Sequence, residues 1–247
     1  MASDLRVAEG PFGPEVHPLG RAVDHMVLYV HGDPRLGGTP HDALPMAREL
    51  SRATGCTVVC ARYRAAFPAA LDDVCTAYAY ARERGPVALA GKRLGGGLAA
   101  GLLLRLRDEG VDLPVCAALL TPLLDLTLDA PSLLLNAAAD RTTDVDVLHR
   151  RAASYAGQAA RDEPLLSPLH GNLHGLPPLQ LQAAGTDVLL DDALGFAARA
   201  ARSGVTVDLR VHEDASALGL AQTGATAAFL RAHASARRVP LPSDSAR

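Results

Sequence analysis

The stretch VALAGKRLGGGLAAGLLLRL, residues 87–106, decides the fold. Residues 87–90 form a short apolar run of the kind that makes a buried strand. From residue 94 to 107 small and aliphatic side chains continue without a proline, which predicts a helix rich in small residues. Gly91, Lys92 and Arg93 stand between the two. A strand that passes through a short turn into a helix is the unit of a parallel sheet covered by helices.

The same alternation runs outward in both directions. Strands are expected at 25–30 (HMVLYV), 57–61, 115–120, 179–183 and 206–211. Helices are expected at 42–53, 71–83, 145–156, 190–203 and 224–234, with a Gly/Pro loop at 31–40. The fold class is therefore α/β, a mostly parallel sheet with helices on both faces. Residues 1–24 read as a short N-terminal segment, 25–238 as a single domain and the Pro/Ser-rich 239–247 as a flexible tail. Ligands of such sheets sit at the carboxyl ends of the strands, so the loops after Val30, Ala61, Ala90, Leu120, Ala183 and Val211 carry the candidate site.

Composition narrows the function classes. The chain has 247 residues, 49% of them hydrophobic, which is ample for a buried core. A net charge of -3 gives no basic field for nucleic acid, and 4% aromatics without Trp give little for base stacking. No apolar run reaches membrane-spanning length and no signal-like segment opens the chain, so a cytoplasmic protein without membrane partners is expected. Cys56, Cys60, Cys75 and Cys116 form no CxxC pair, and the spacing of Cys56 and Cys60 suits core packing better than a metal. No metal or cofactor is expected. His170 and His174 read as surface-loop residues, and the run Asp140–Asp144 as a helix N-terminal cap.

Taken in order, the strand-end loops resemble the hormone-sensitive-lipase-like esterases of the α/β-hydrolase fold. His31-Gly32-Asp33-Pro34 resembles that family's HGGG loop. Arg62-Tyr63-Arg64 followed by Phe67-Pro68-Ala69-Ala70-Leu71-Asp72-Asp73 resembles DYR leading to FPAALDD. Gly91-Lys92-Arg93-Leu94-Gly95-Gly96 is similar to the nucleophile turn GDSAGG. Thr121 to Leu126, Ser167-Pro168-Leu169, Gly175 to Pro178 and Gly185-Thr186-Asp187 match the remaining landmarks. The resemblance runs from about residue 25 to 233 and implies the fold, with an apolar acyl pocket and a reduced N-terminal cap.

The chemical centre departs from that pattern. The resemblance places the nucleophile at position 93, where a guanidinium has no lone pair for attack on a carbonyl. It places the triad histidine at Ala217, with His212 five residues too early. Asp33 and Pro34 replace two oxyanion-loop glycines, and proline has no N–H to donate. Asp187 keeps the place of the triad acid. These changes predict a chain that is not a serine hydrolase: a rewired, non-hydrolytic enzyme of cyclase, isomerase or lyase type acting on a small anionic or carbonyl compound. The alternative is a non-catalytic ligand- or partner-binding protein, with a homodimer as one form, and residual ester hydrolysis ranks last.

Arg93, Asp33, Lys92 and Asp187 are the candidate catalytic residues, and His31, Arg35, Leu94 and Arg62 the candidate substrate-binding ones. Lys92 is the one lysine among the 24 basic residues. Arg93 either pairs with Asp187, Asp33 or Asp214 and fills the pocket, or lines an open anion site at a helix N-terminus.

Overall fold

The strands that the sequence marks by apolar runs are buried on both faces, except the exposed edge strand Val207–His212. The computed structural model describes residues 4–20, 23–32 and 38–236. Strand β3 (Met26–Val30), β5 (Val87–Lys92), β6 (Ala117–Leu120) and β7 (Leu179–Ala184) are almost wholly buried. They run parallel to each other and to β4 (Thr57–Cys60) and β8 (Val207–His212). An antiparallel hairpin, β1 (Leu5–Gly10) and β2 (Gly13–Pro18), completes the order β1-β2-β4-β3-β5-β6-β7-β8.

That hairpin lies within the residues read as a separate N-terminal segment. The sequence hides it because GPEVHP carries two prolines and two polar residues in six positions. Its pairing with β4 protects an otherwise open edge. Glu15, 4% exposed, is held there by Tyr80 Oη at 2.7 Å and by the Arg84 guanidinium at 2.9 Å. The tail read for 239–247 lies outside the described residues.

Alternation along each strand divides the core in two. Leu28, Leu89 and Leu119 face α2 (Ala69–Arg82), α3 (Leu94–Asp108) and α6 (Leu190–Arg202). Val27, Ala88 and Ala118 face α1 (Leu44–Thr54) and α7 (Ala215–Ala236). Continuing the same alternation, Ala88, Ala90 and then Lys92 fall on the α1/α7 face, as do Val27 and Tyr29 of β3. The sheet pleat thereby decides on which side the chain's lysine emerges.

α5 (Val145–Ala156) falls where the spacing predicts it, and Asp144 caps it by accepting from the Val147 N–H at 2.9 Å. The short α4 (Pro131–Leu135) is not legible in the sequence. α7 begins nine residues before its predicted start, because Asp214 caps a first turn at Ala217 that the small residues between did not announce.

Candidate active site

The turn between β5 and α3 is a sharp one. Arg93 sits in it at φ 52°, ψ −122°, a left-handed backbone that an ordinary residue holds only when its surroundings enforce it. Here its N–H donates to Leu120 O, and its own carbonyl accepts from Gly96, Gly97 and Leu123. Two close approaches explain the glycines. A Cβ on Gly91 would overlap Gly95 O, and one on Gly95 would overlap the carbonyl oxygens of Val30 and His31. The loop after β3 thus rests directly on the first turn of α3. A Cβ on Gly32 would come within 2.9 Å of Leu94 N. The N–H groups of Leu94 and Gly95, which open α3, point away from the helix's own carbonyls and carry its positive pole.

His31, Lys92, Arg93 and Asp187 line one cavity of about 610 Å³, bounded by α1 on one side and the start of α7 on the other. Arg93 donates from Nη1 to Asp187 Oδ1 at 2.8 Å, both side chains under a tenth exposed. Its Nη2 reaches Thr142 Oγ1 at 3.3 Å, and Thr142 donates on to Asp140 at 2.7 Å. Burial opposes the Asp140 charge, yet the Thr142 hydroxyl and backbone donors hold its carboxyl below the usual range. Asp187 Oδ1 also accepts from the Leu189 N–H at 2.8 Å. Arg93 therefore pairs with Asp187 and still lines an open cavity, so pairing and lining are not exclusive. Asp214, weighed as another partner, caps α7 instead.

Burial first, and the neighbouring Arg93 cation second, hold the Lys92 amine below the ordinary lysine range. The His31 ring stacks on Tyr63, centroids 4.5 Å apart, and the Tyr63 hydroxyl donates to His31 O at 2.6 Å. Leu94 buries its side chain in the core, so its contribution to the site is its backbone N–H.

Arg62 does not belong to the site. Glu9 of the hairpin draws it outward in an exposed ion pair at 3.3 Å, away from the cavity. Asp33, Pro34 and Arg35 lie outside the described residues, and with them the altered oxyanion loop. Sequence reasoning missed Thr121 and Thr142, which line the cavity, and Asp140 as the anchor of Thr142. His170 makes an ion pair with Asp125 at 3.0 Å. Among the described residues no cluster of His, Cys, Asp and Glu is arranged to hold a metal ion, and no helix is long and apolar enough to cross a membrane.

A strand, a strained turn, a glycine-packed helix and a cavity at the strand ends define an α/β-hydrolase architecture. The chain belongs to the alpha/beta hydrolase fold family, whose model matches residues 27–216. It is 36% identical over 189 residues to an acetyl-hydrolase of Streptomyces hygroscopicus, covering 73% of this chain and 63% of that protein. It is 29% identical over 203 residues to the putative acetyl-hydrolase LipR of Mycobacterium tuberculosis, covering 79% and 66%. The chain thus spans somewhat less than two thirds of these relatives.

Among solved structures it superposes on an esterase/lipase from an uncultured bacterium with a TM-score of 0.88 at 28% identity, covering 95% of this chain and 86% of that one. It superposes on a hormone-sensitive lipase from a metagenome library with a TM-score of 0.86 at 26% identity, covering 94% and 86%. The hormone-sensitive-lipase-like α/β-hydrolase fold is established.

These relatives correct the functional expectation. Proteins named acetyl-hydrolase, esterase and lipase point to ester hydrolysis, against both a non-hydrolytic enzyme and a non-catalytic binder, and against the exclusion of a serine hydrolase. The expectation overweighted side-chain identity at two positions. The turn, the helix N-terminus and the cavity, which make the fold suitable for ester chemistry, are all retained.

Proposed function

We propose that this protein hydrolyses a short-acyl carboxylic ester in the cavity above α3. The observation that carries this reading is the likeness to acetyl-hydrolases over 73% and 79% of the chain, joined to an open cavity at the elbow turn. The first N–H groups of α3, with Leu94 foremost, are suited to hold the ester carbonyl oxygen and stabilise the charge that develops on it. His31 is the base we assign, because it lines the cavity, rests on the α3 turn and is oriented by Tyr63. It takes the proton of the attacking hydroxyl and returns it to the departing alkoxide as the ester C–O bond breaks.

The finer reading is that the triad is altered in two places. Arg93 stands at the elbow and Ala217 at the histidine position, while Asp187 is occupied by the Arg93 ion pair. The nucleophile then comes from outside position 93, as a water or another hydroxyl held near the α3 N–H groups.

The test is a panel of p-nitrophenyl acetate, butyrate and decanoate with the purified chain, followed by fluorophosphonate labelling and mapping of any adduct. Saturable release with acetate preferred over decanoate is expected. Release at the buffer rate for every ester would overturn the reading. The adduct map identifies the hydroxyl, if a side chain supplies it.

A further inference from the structure

Among the described residues, the cavity lining holds buried donors without acceptors. Thr121 is 2% exposed and lines the cavity, and its Oγ1 has no hydrogen-bond partner. Arg93 is 6% exposed, and its Nε–H is likewise without a partner while Nη1 and Nη2 are engaged. Buried polar groups of this kind are uncommon, and each one calls for a ligand or an explanation. The parallel register Lys92↔Leu120 carries Arg93 and Thr121 side by side just past the ends of β5 and β6, one residue beyond Lys92. Thr121 is held there at φ 41°, a backbone that β-branched residues rarely adopt. Arg93, Thr121 and Lys92 thus line one cavity next to the positive pole of a 15-residue helix.

We propose that Lys92, Thr121 and the Arg93 Nε–H form a carboxylate subsite, and that the ester this cavity takes is a half-ester with a free carboxylate at its far end. The word ester rests on the function proposed above; the carboxylate does not. A carboxylate is acceptor-only and fits these three donors, which lie beside the Arg93–Asp187 pair in the same cavity. It also offsets the Arg93 repulsion at Lys92. The mouth of the cavity carries Asp42 and Glu49, already engaged by Thr39 and Arg52. Their negative charge disfavours a dianion such as phosphate and favours a small monoanion entering carboxylate first.

Monomethyl succinate and dimethyl succinate differ in this one charge and suit a direct comparison. The native chain is expected to show a kcat/KM for the half-ester at least about tenfold above that for the diester. Lys92→Met and, separately, the isosteric Thr121→Val are each expected to lower that ratio about tenfold, with unchanged melting curves as the control for folding. A ratio near one in the native chain, or a ratio unmoved in both variants, overturns the subsite.

A second arm needs no turnover. Sodium acetate and sodium phosphate are titrated at fixed ionic strength while backbone amide shifts are followed. Acetate is expected to shift the Leu94 and Thr121 amides, more than phosphate does, and Lys92→Met to abolish the response. Acetate binding without hydrolysis of any ester sinks the function and leaves the subsite. Hydrolysis of both esters at equal efficiency with no acetate response does the reverse.

Discussion

Arg93 and Asp187 make a buried ion pair whose members have few substitutes. Removing one partner leaves the other charge, itself under a tenth exposed, without its counter-ion. Arg93→Met is therefore expected to cost about 3–5 kcal/mol in urea unfolding, and Arg93→Met with Asp187→Asn to cost distinctly less. A double-variant cost equal to the sum of the Arg93→Met and Asp187→Asn costs would mean that the pair carries no coupling.

Asp192 has a different stake. Burial holds its carboxyl up at about 7 against the Leu124 and Asp125 N–H donors, with the charges of Asp125 and Asp187 adding to the rise. The folded chain thus binds this proton more tightly than the unfolded chain, whose carboxyl titrates near 3.8. The resulting stability is complete below the unfolded value and is lost as pH rises toward 7. Asp192→Asn keeps an oxygen for the two N–H groups and has no proton to lose. Its stability relative to the native chain is expected to rise between about pH 4 and pH 7 and level off above, read from urea midpoints. A difference independent of pH would contradict this.

At the scale of elements, the β5–α3 turn is the most constrained junction. The atoms that a Gly95 side chain would meet are backbone carbonyls of the next loop, which have nowhere to move. Gly95→Ala is expected to lower stability by about 3 kcal/mol or more. Gly224 lies inside α7 with open space around it, so Gly224→Ala is expected to raise stability by about 0.5–1 kcal/mol. Chemical denaturation of both variants checks the contrast; similar values would show that the turn relaxes. The elements themselves were largely legible, since buried parallel strands announce themselves as apolar runs. The hairpin was not, because an edge element carries no such run. That omission had a consequence at the site: without Glu9 in place, nothing in the sequence shows that Arg62 is drawn away from the cavity.

For the whole molecule, the order of landmarks along the chain made the fold legible, and four of the eight expected site residues, His31, Lys92, Arg93 and Asp187, line one cavity. Thr121, part of a matched landmark, and Thr142, in the loop before α5, were not legible as site residues because a lone threonine carries no chemical signature. Their role comes from a positive φ at the first and a hydrogen-bonded loop at the second. Function was the hardest to read, since the sequence shows Arg93 and Ala217 but not the turn and cavity around them.

Ester hydrolysis at this cavity is the central claim. Its most direct measurement is kcat/KM for p-nitrophenyl acetate with the native chain and with His31→Gln. Saturable hydrolysis is expected, falling by about 100-fold or more in the variant. Hydrolysis no faster than buffer, or hydrolysis indifferent to His31, would contradict it.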